Sequence, residues 1–175
     1  MAWWVYKCND NGQFQRGNWD YVFKRTRATS WGTTRIRGLR QLHAGDQVIA
    51  YQTDREEIVG LTEVTRIRSR GGYDEIIMRP VEKIGASVPT LKRDYDAIAT
   101  IPAFQPGFPK TLYSIEANDA RLLLRAARNQ QHDGEANADA KLTPNRVAKH
   151  EAGGDWPQTP SARDLENGLP RRHWW

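Results

Sequence analysis

Aromatic and arginine side chains are interleaved between residues 3 and 40 of this 175-residue chain. Trp19 and Trp31 stand beside turn-forming and basic residues rather than inside long apolar runs. An aromatic face can stack on a nucleobase, which contributes about 1–3 kcal/mol per base, and arginine can bind phosphate oxygens. Any one tryptophan could instead be an ordinary core residue. Taken as a set, these residues favour a base-binding pocket.

Covalent and metal chemistry have weaker support in the sequence. The single cysteine and the four histidines show no ligand spacing, so we predict no metal site and no cofactor. Cys8 and His43 could pair as nucleophile and base, but no nucleophile elbow flanks them, and there is no Walker-type phosphate loop. An enzyme that modifies nucleic acid, with Cys8 or Asp46 in its chemistry, stays open as an alternative.

The positive charge is concentrated in the first three quarters of the chain. Residues 1–128 hold 20 basic and 14 acidic side chains, and the whole chain has a formal net charge of +5. Such a charge favours an anionic partner, nucleic acid first. The candidates for phosphate binding are Arg35, Arg37, Arg66, Arg68 and Arg70.

The cysteine count and the apolar runs bear on where the protein works. One cysteine allows no intrachain disulfide, which is typical of a reducing compartment. The opening residues lack the apolar core of a signal peptide, and no run is long enough to span a membrane. We therefore expect a cytoplasmic monomer without membrane contact.

Residues 39–64 are the stretch around which the other predicted elements are arranged. A short helical turn ends at Leu42, Gly45-Asp46 makes a tight reversal, and apolar strands follow at residues 48–51 and 58–64, which predicts one hairpin. Apolar residues on both parities predict burial on both faces, as in a small closed or half-closed barrel. Gly60 marks a bend or a place where another group approaches closely.

The flanking segments complete an α+β pattern. Strands are predicted at residues 3–8, 73–81 and 112–115, with Pro80 ending the second of these or placing it at an edge, and the proline-rich residues 84–110 are predicted to be mostly loop. Asn118 is predicted to cap a helix, and its core stripe is Ala120, Leu123, Leu124 and Ala127. From residue 129 the composition becomes polar, so we predict one domain at residues 1–128 and a disordered tail at residues 129–175.

The order of these landmarks resembles the EVE domain, a member of the PUA-like superfamily and a relative of the YTH domain. The sequence LRQLHAGD at residues 39–46 is similar to the family's L-R-x-L-x-x-G-D stretch, and IVGLTEV at residues 58–64 is similar to its I-V-G-x-x-E-V strand. The opening strand WWVYKC at residues 3–8 and the WGTT element at residues 31–34 also match. The resemblance covers roughly residues 1–128.

The resemblance implies a twisted β-barrel flanked by short helices, with a pocket for one extruded, modified base. Trp31 matches a wall of the aromatic cage that holds a methylated base in YTH-like relatives. Cys8 and Asn9 match the polar residues that line the pocket, although EVE proteins usually have Ser followed by Glu-Pro there. The small segment around Thr33 would let backbone groups approach the base edge. Candidates for further walls, from position alone, are Trp19, Tyr51 and Tyr73.

Three functions are compatible with these observations. We favour a module that binds a modified, methylated base in DNA or RNA without catalysis. A nucleic-acid-modifying enzyme is the second possibility. The third is a protein-interaction adaptor that acts through its tryptophan-bearing tail, which contains Trp156, Trp174 and Trp175.

Overall fold

A computed structural model describes residues 1–10, 15–33, 39–70, 73–106 and 110–142. Within these ranges the chain forms seven strands, four α-helices and two 3₁₀ turns. The strands are β1 (Trp3–Asn9), β2 (Gln15–Arg16), β3 (Thr29–Thr33), β4 (Gln47–Gln52), β5 (Glu57–Arg70), β6 (Tyr73–Ser87) and β7 (Leu112–Ile115). The helices are α1 (Asp20–Phe23), α2 (Val88–Asp94), α3 (Asp96–Ala99) and α4 (Ala117–Leu142), and the 3₁₀ turns are Leu39–Gln41 and Pro102–Phe104.

The predicted central hairpin is confirmed. Strands β4 and β5 pair antiparallel, with Val48 opposite Thr62. Gly45 has a φ of +90°, a conformation that glycine adopts without a steric penalty, and its N–H donates to the carbonyl of Val64 at 2.7 Å. The chain therefore reverses at Gly45-Asp46 before it enters β4, as predicted, and the hairpin itself turns at residues 53–56.

The seven strands form one sheet in the order β2-β1-β4-β5-β6-β3, and β7 pairs with the outer edge of β1. The α+β class is confirmed, but the predicted closed barrel is wrong: in the described residues, no pairing joins β3 to β2 or β7. Helices and turns cover both faces of the sheet instead. A strand buried on two faces has the same apolar pattern in either architecture, so the sequence could not separate them.

Each face of the sheet carries its own hydrophobic core. The helix-side core lies under α2, α3 and α4 and includes Ile49, Leu91, Ile98 and Leu123. The far-side core lies under α1 and the first 3₁₀ turn and includes Trp4, Tyr6, Cys8 and Trp19. Along β4 the alternation is clear, because Val48 and Ala50 belong to the far-side core whereas Ile49 and Tyr51 belong to the helix-side core.

Gly60 lies where three elements meet. A Cβ atom at this position would stand 2.2 Å from the carbonyl oxygen of Glu82 in β6 and 2.6 Å from the Phe23 ring in α1. No side chain fits in that space without a backbone shift. The prediction of a close approach at Gly60 is therefore confirmed.

The predictions made from prolines were right in one part and wrong in another. Strand β6 does not end at Pro80 but continues to Ser87, and Pro80 lies at an edge, the other predicted possibility, because β3 pairs with β6 only up to Met78 and the β5–β6 register shifts beside Pro80. Pro80 thus avoids a ladder position that needs its missing N–H. Residues 84–110 are largely structured, since Pro89 and Pro102 lie in the first turns of α2 and of the second 3₁₀ turn, where proline is accepted.

The last helix is longer than expected. Its predicted core stripe is confirmed, because Ala120, Leu123, Leu124 and Ala127 are all buried. The helix begins at Ala117, so Asn118 lies inside its first turn rather than at the cap. It extends to Leu142, beyond the boundary predicted at residue 128, because the polar residues that follow still have helix-forming propensity. Residues 143–175 lie outside the described ranges.

Among the described residues, no helix has the length and apolar character to cross a membrane.

Candidate functional site

The parallel pair β1–β4 brings its two strand ends together on the far side of the sheet. Cys8 stands opposite Gln52 in this pair, and both side chains are fully buried. The side-chain carbonyl oxygen of Gln52 accepts hydrogen bonds from the Cys8 thiol at 3.3 Å and from the backbone N–H of Trp19 at 3.1 Å. The Gln52 amide group donates to the carbonyl of Gly17 and, at 2.6 Å, to Asp54. One side chain therefore fixes the end of β1 and the start of α1.

Trp19, a predicted wall of the pocket, lies entirely inside the far-side core. Its ring meets Tyr6 edge to face, with ring centroids 5.3 Å apart and an interplanar angle of 79°. Asn18 precedes Trp19, and its side-chain oxygen accepts a hydrogen bond from the backbone N–H of Asp20, the first residue of α1, at 2.9 Å. In this arrangement Trp19 exposes no face to a ligand.

Burial and nearby carboxylates determine the state of the Cys8 thiol. Burial raises the pKa of Cys8 far above its ordinary value, and the negative charges of Asp54 and Asp10 raise it further. The thiol therefore stays protonated near neutral pH, and it donates to Gln52. A protonated, buried thiol is a poor nucleophile, which counts against a catalytic role for Cys8.

Asp46 is also engaged in structure. Its carboxylate accepts hydrogen bonds from the Ala2 N–H at 2.7 Å, the His43 N–H at 2.9 Å and the Trp4 indole at 3.2 Å. Burial alone would raise the pKa of this carboxyl, but the three hydrogen bonds outweigh it and hold the pKa below its ordinary value. Asp46 therefore ties the beginning of the chain to β4.

The other matched residues lie on the β3–β6 pair. Trp31 stands opposite Ile76 in the antiparallel register, and Thr33 stands opposite Asp74. Ile76 belongs to the far-side core, together with Cys8 and Trp19. The backbone of Trp31 thus runs along a strand pair that borders this core. Tyr73 begins β6, and the side chains of Trp31, Thr33 and Tyr73 lie outside the described part of the structure.

Asn9 and Tyr51 complete the set of predicted pocket residues. Asn9 follows Cys8 at the end of β1 and is 1% exposed. Tyr51 points to the opposite face, where its ring meets Phe104 edge to face at 5.4 Å. The structure therefore brings together Cys8 and Trp19, whereas Tyr51 lies on the other face and Asn9 has the opposite parity to Cys8 in β1.

Tyr51 lies instead beside a buried lysine. The Lys7 ammonium group lies 4.7 Å from the centroid of the Tyr113 ring and 6.0 Å from that of Tyr51. Burial lowers the pKa of Lys7 to about 8 and raises that of Tyr51 to about 12. Sequence inspection gave no sign of this cluster, because the two rings come from strands β4 and β7, which are distant from Lys7 in the chain.

The predicted phosphate-binding arginines divide into two groups. Arg66 and Arg68 are exposed on β5 and share one strand face, and Arg70 ends the same strand. Glu75 stands opposite Arg68, so the row is not purely basic. Arg35 and Arg37 lie outside the described residues.

Gln52 is the site residue that the sequence interpretation missed. It ends the apolar β4 run and shares the parity of Val48 and Ala50, which face the far-side core. A polar residue at a buried parity was the available signal. Among the described residues, no cluster of three His, Cys, Asp or Glu side chains is arranged to hold a metal ion.

Comparisons with known proteins define the fold and little beyond it. No protein-family model matches the chain, and no match was found among curated protein sequences. A hypothetical protein from Leishmania major is similar in structure, with a TM-score of 0.60 and 16% identity, over 75% of this chain and 97% of that one. A Rhodopseudomonas palustris protein solved by NMR has a TM-score of 0.57 and 15% identity, over 86% of this chain and 100% of that one. The chain therefore has the α+β fold of these small proteins.

YTH domains are also among the structural neighbours. The Pho92 YTH domain, solved in complex with m6A, has a TM-score of 0.49 and 13% identity, over 76% of this chain and 87% of that domain. At this level the likeness is too low to argue for a shared site.

Proposed function

We propose that residues 1–142 form a non-catalytic module that binds a single modified, preferably methylated, base extruded from a nucleic acid. The observation that carries this proposal is the set of hydrogen bonds made by the buried Gln52 side chain, which we call the Gln52 junction. It holds Cys8 and Trp19 in the far-side core, and the strand that contains Trp31 borders that core. The resemblance of residues 1–128 to the EVE domain supports the same function.

The burial of the junction divides the proposed roles. Cys8, Asn9 and Trp19 are too deeply buried to contact a ligand directly. They hold the wall of the site in place, whereas the segment around Trp31 and Thr33 contacts the base. A rigid support of this kind reduces the ordering cost of binding.

Selection for a methylated base follows from solvation. A methyl group adds apolar surface and is cheaper to desolvate than a polar edge, so an aromatic wall discriminates in its favour. An extruded base has lost its stacking partners, and a tryptophan face replaces one of them. The exposed Arg66 and Arg68 supply sequence-independent phosphate contacts, which make the affinity dependent on salt.

Catalysis at this site is disfavoured by the state of its two candidate groups. The Cys8 thiol is protonated and hydrogen-bonded to Gln52. The Asp46 carboxylate accepts three hydrogen bonds and is 3% exposed, so it is not placed to abstract a proton.

Replacement of Trp31 tests this proposal. Trp31→Ala should reduce affinity for an oligonucleotide that carries the preferred base about 5- to 150-fold, as expected for one lost base stack. The loss should be smaller for the unmodified oligonucleotide, so the ratio of the two affinities falls. Fluorescence anisotropy with a panel of modified and unmodified DNA and RNA oligonucleotides measures both.

Two controls separate recognition from folding. Trp31→Phe keeps an aromatic face and should retain most of the preference. Trp3→Ala removes a half-buried tryptophan that packs against the helix-side core, so it should leave the affinity ratio unchanged wherever the variant is folded. A folded Trp31→Ala protein with the affinity ratio of the parent would contradict the proposal, as would a parent that prefers no modified base.

A further inference from the structure

An aromatic–arginine stack is exposed on the surface next to the candidate site. Tyr21 is one of the few large hydrophobic side chains that stay exposed among the described residues, with 48% of its surface accessible. The guanidinium carbon of Arg25 lies 4.1 Å from the centroid of the Tyr21 ring. Lys24 and Arg27, on either side of Arg25, are exposed as well.

The position of this stack links it to the site. Tyr21 lies in α1, two residues after the buried Trp19, and residues 24–28 lead from α1 into β3, where Trp31 lies. The segment therefore connects the two tryptophans predicted to wall the pocket. Its ends are fixed, because Gln52 holds the Trp19 N–H and Thr29 is opposite Met78 in the sheet.

The segment that carries the stack is basic. Residues 21–45 contain no acidic side chain. The acid next in sequence, Asp20, is held by Arg55 at 3.0 Å, so its charge is compensated. An exposed ring with a guanidinium group above it and exposed basic side chains beside it matches the chemistry of a single-stranded nucleic acid, which offers π-faces and phosphates at regular spacing.

We propose that Tyr21, Lys24, Arg25 and Arg27 form a second contact surface, the Tyr21 platform, for the nucleotide next to the bound base. The neighbouring base extends the Tyr21–Arg25 stack, and Lys24 and Arg27 neutralise the adjoining phosphates. This inference rests on the proposed function, and it names the partner as a single strand rather than a free nucleoside. A stack that only stabilises the surface of the protein would leave nucleic-acid affinity untouched.

The test compares ligands of two lengths on the full chain. Tyr21→Ala should weaken binding of a single-stranded oligonucleotide about 5- to 20-fold, at the lower end of the range for an exposed stack. It should weaken modified and unmodified oligonucleotides equally and leave the affinity for the modified nucleoside alone unchanged. The double variant Lys24→Ala/Arg27→Ala should lower the slope of log affinity against log salt by about 1.4, or about 0.7 for each lost contact with a single strand.

Matched variants keep the result interpretable. Tyr21→Phe retains the ring and should bind like the parent. The double variant Arg121→Ala/Arg125→Ala removes the same two charges from the exposed face of α4 and should change neither affinity nor salt slope by a comparable amount. Oligonucleotide binding that survives Tyr21→Ala unchanged would overturn the Tyr21 platform while leaving the reader proposal intact.

The converse result separates the two proposals. Loss of oligonucleotide affinity in Tyr21→Ala, in a protein that prefers no modified base, would support the platform and contradict the reader. A parent that binds no oligonucleotide would overturn both.

Discussion

The two cores of this domain lie back to back on the same strands, yet they differ in the polar groups buried beside them. Both cores are mostly aliphatic, and the helix-side core is covered by α2, α3 and α4. Beside the far-side core, the buried polar residues Gln52, Asp46 and Thr62 hydrogen-bond to the chain.

The difference indicates a division of labour between the faces. Aliphatic packing is tolerant of small changes and mainly supplies stability. A buried polar network is stabilising only when all its members are satisfied, so it specifies one arrangement and holds neighbouring groups in fixed positions. We infer that the helix-side core stabilises the fold and that the far-side core positions the candidate site.

The largest expected effect is on the helix side. Leu123→Ala removes a fully buried side chain from α4 and should lower the free energy of unfolding by about 2–5 kcal/mol, through lost burial and the cavity left behind. Leu122→Ala, at a half-buried neighbouring position, should cost less. Urea denaturation measures both. The folded fraction should keep its preference for a modified base. A folded Leu123→Ala protein without that preference would contradict the inference that only the far-side core positions the site.

A smaller effect on stability, with a larger effect on recognition, is expected on the far side. Gln52→Ala leaves the Trp19 N–H and the Cys8 thiol without their acceptor and should cost about 2–3 kcal/mol of unfolding free energy. It should also reduce discrimination between modified and unmodified oligonucleotides, because Trp19 is no longer held.

The control for this experiment is a glutamine that makes a hydrogen bond on the other side. Gln105 donates to the carbonyl of Thr100 at 3.2 Å, and Gln105→Ala should leave discrimination unchanged. If Gln52→Ala is less stable but discriminates as the parent does, the junction is purely structural.

The smallest expected effect concerns the charged residue of the helix-side core. The pKa of Lys7 is lowered to about 8 from an ordinary 10.5, so between these values the unfolded chain holds a proton that the folded one has released. Stability from this group therefore rises with pH through that window. Lys7→Met removes the titration. Its advantage in unfolding free energy over the parent should shrink by about 2 kcal/mol from pH 7.5 to 9.5.

The parent must be the reference in that measurement. The raised pKa of Cys8 acts in the opposite direction in alkaline solution, since the unfolded thiol loses its proton while the buried one keeps it. That contribution is common to both proteins and cancels in the difference. A difference that stays constant with pH would show that Lys7 keeps its ordinary pKa.

Local signals were sufficient for the elements that they directly encode. Turn chemistry and periodicity are properties of neighbouring residues. They therefore predicted the Gly45-Asp46 reversal, the apolar strands that follow it and the core stripe of α4. Prolines misled the interpretation at Pro89 and Pro102, where a residue read as a helix breaker lies in the first turn of a helix.

The site could be predicted only in part, because it depends on pairing between distant strands. The β1–β4 pair places Lys7 opposite Tyr51 and Cys8 opposite Gln52. This register decides that Tyr51 shares a face with Lys7 and that Gln52 shares one with Cys8. Parallel pairing leaves no turn signal in the sequence, so Tyr51 was grouped with the pocket and Gln52 was overlooked.

The missing side chain at Gly60 has a consequence for how this sequence can change over time. Phe23 of α1 occupies the space where a Cβ atom would stand, directly against the β6 backbone at Glu82. The Glu82 carbonyl oxygen stands in the same space, so a smaller residue at position 23 does not by itself admit a side chain at position 60, and the β6 backbone must move as well. We therefore expect lineages of this protein to keep Gly60 while its neighbours vary, because no single substitution elsewhere opens the space.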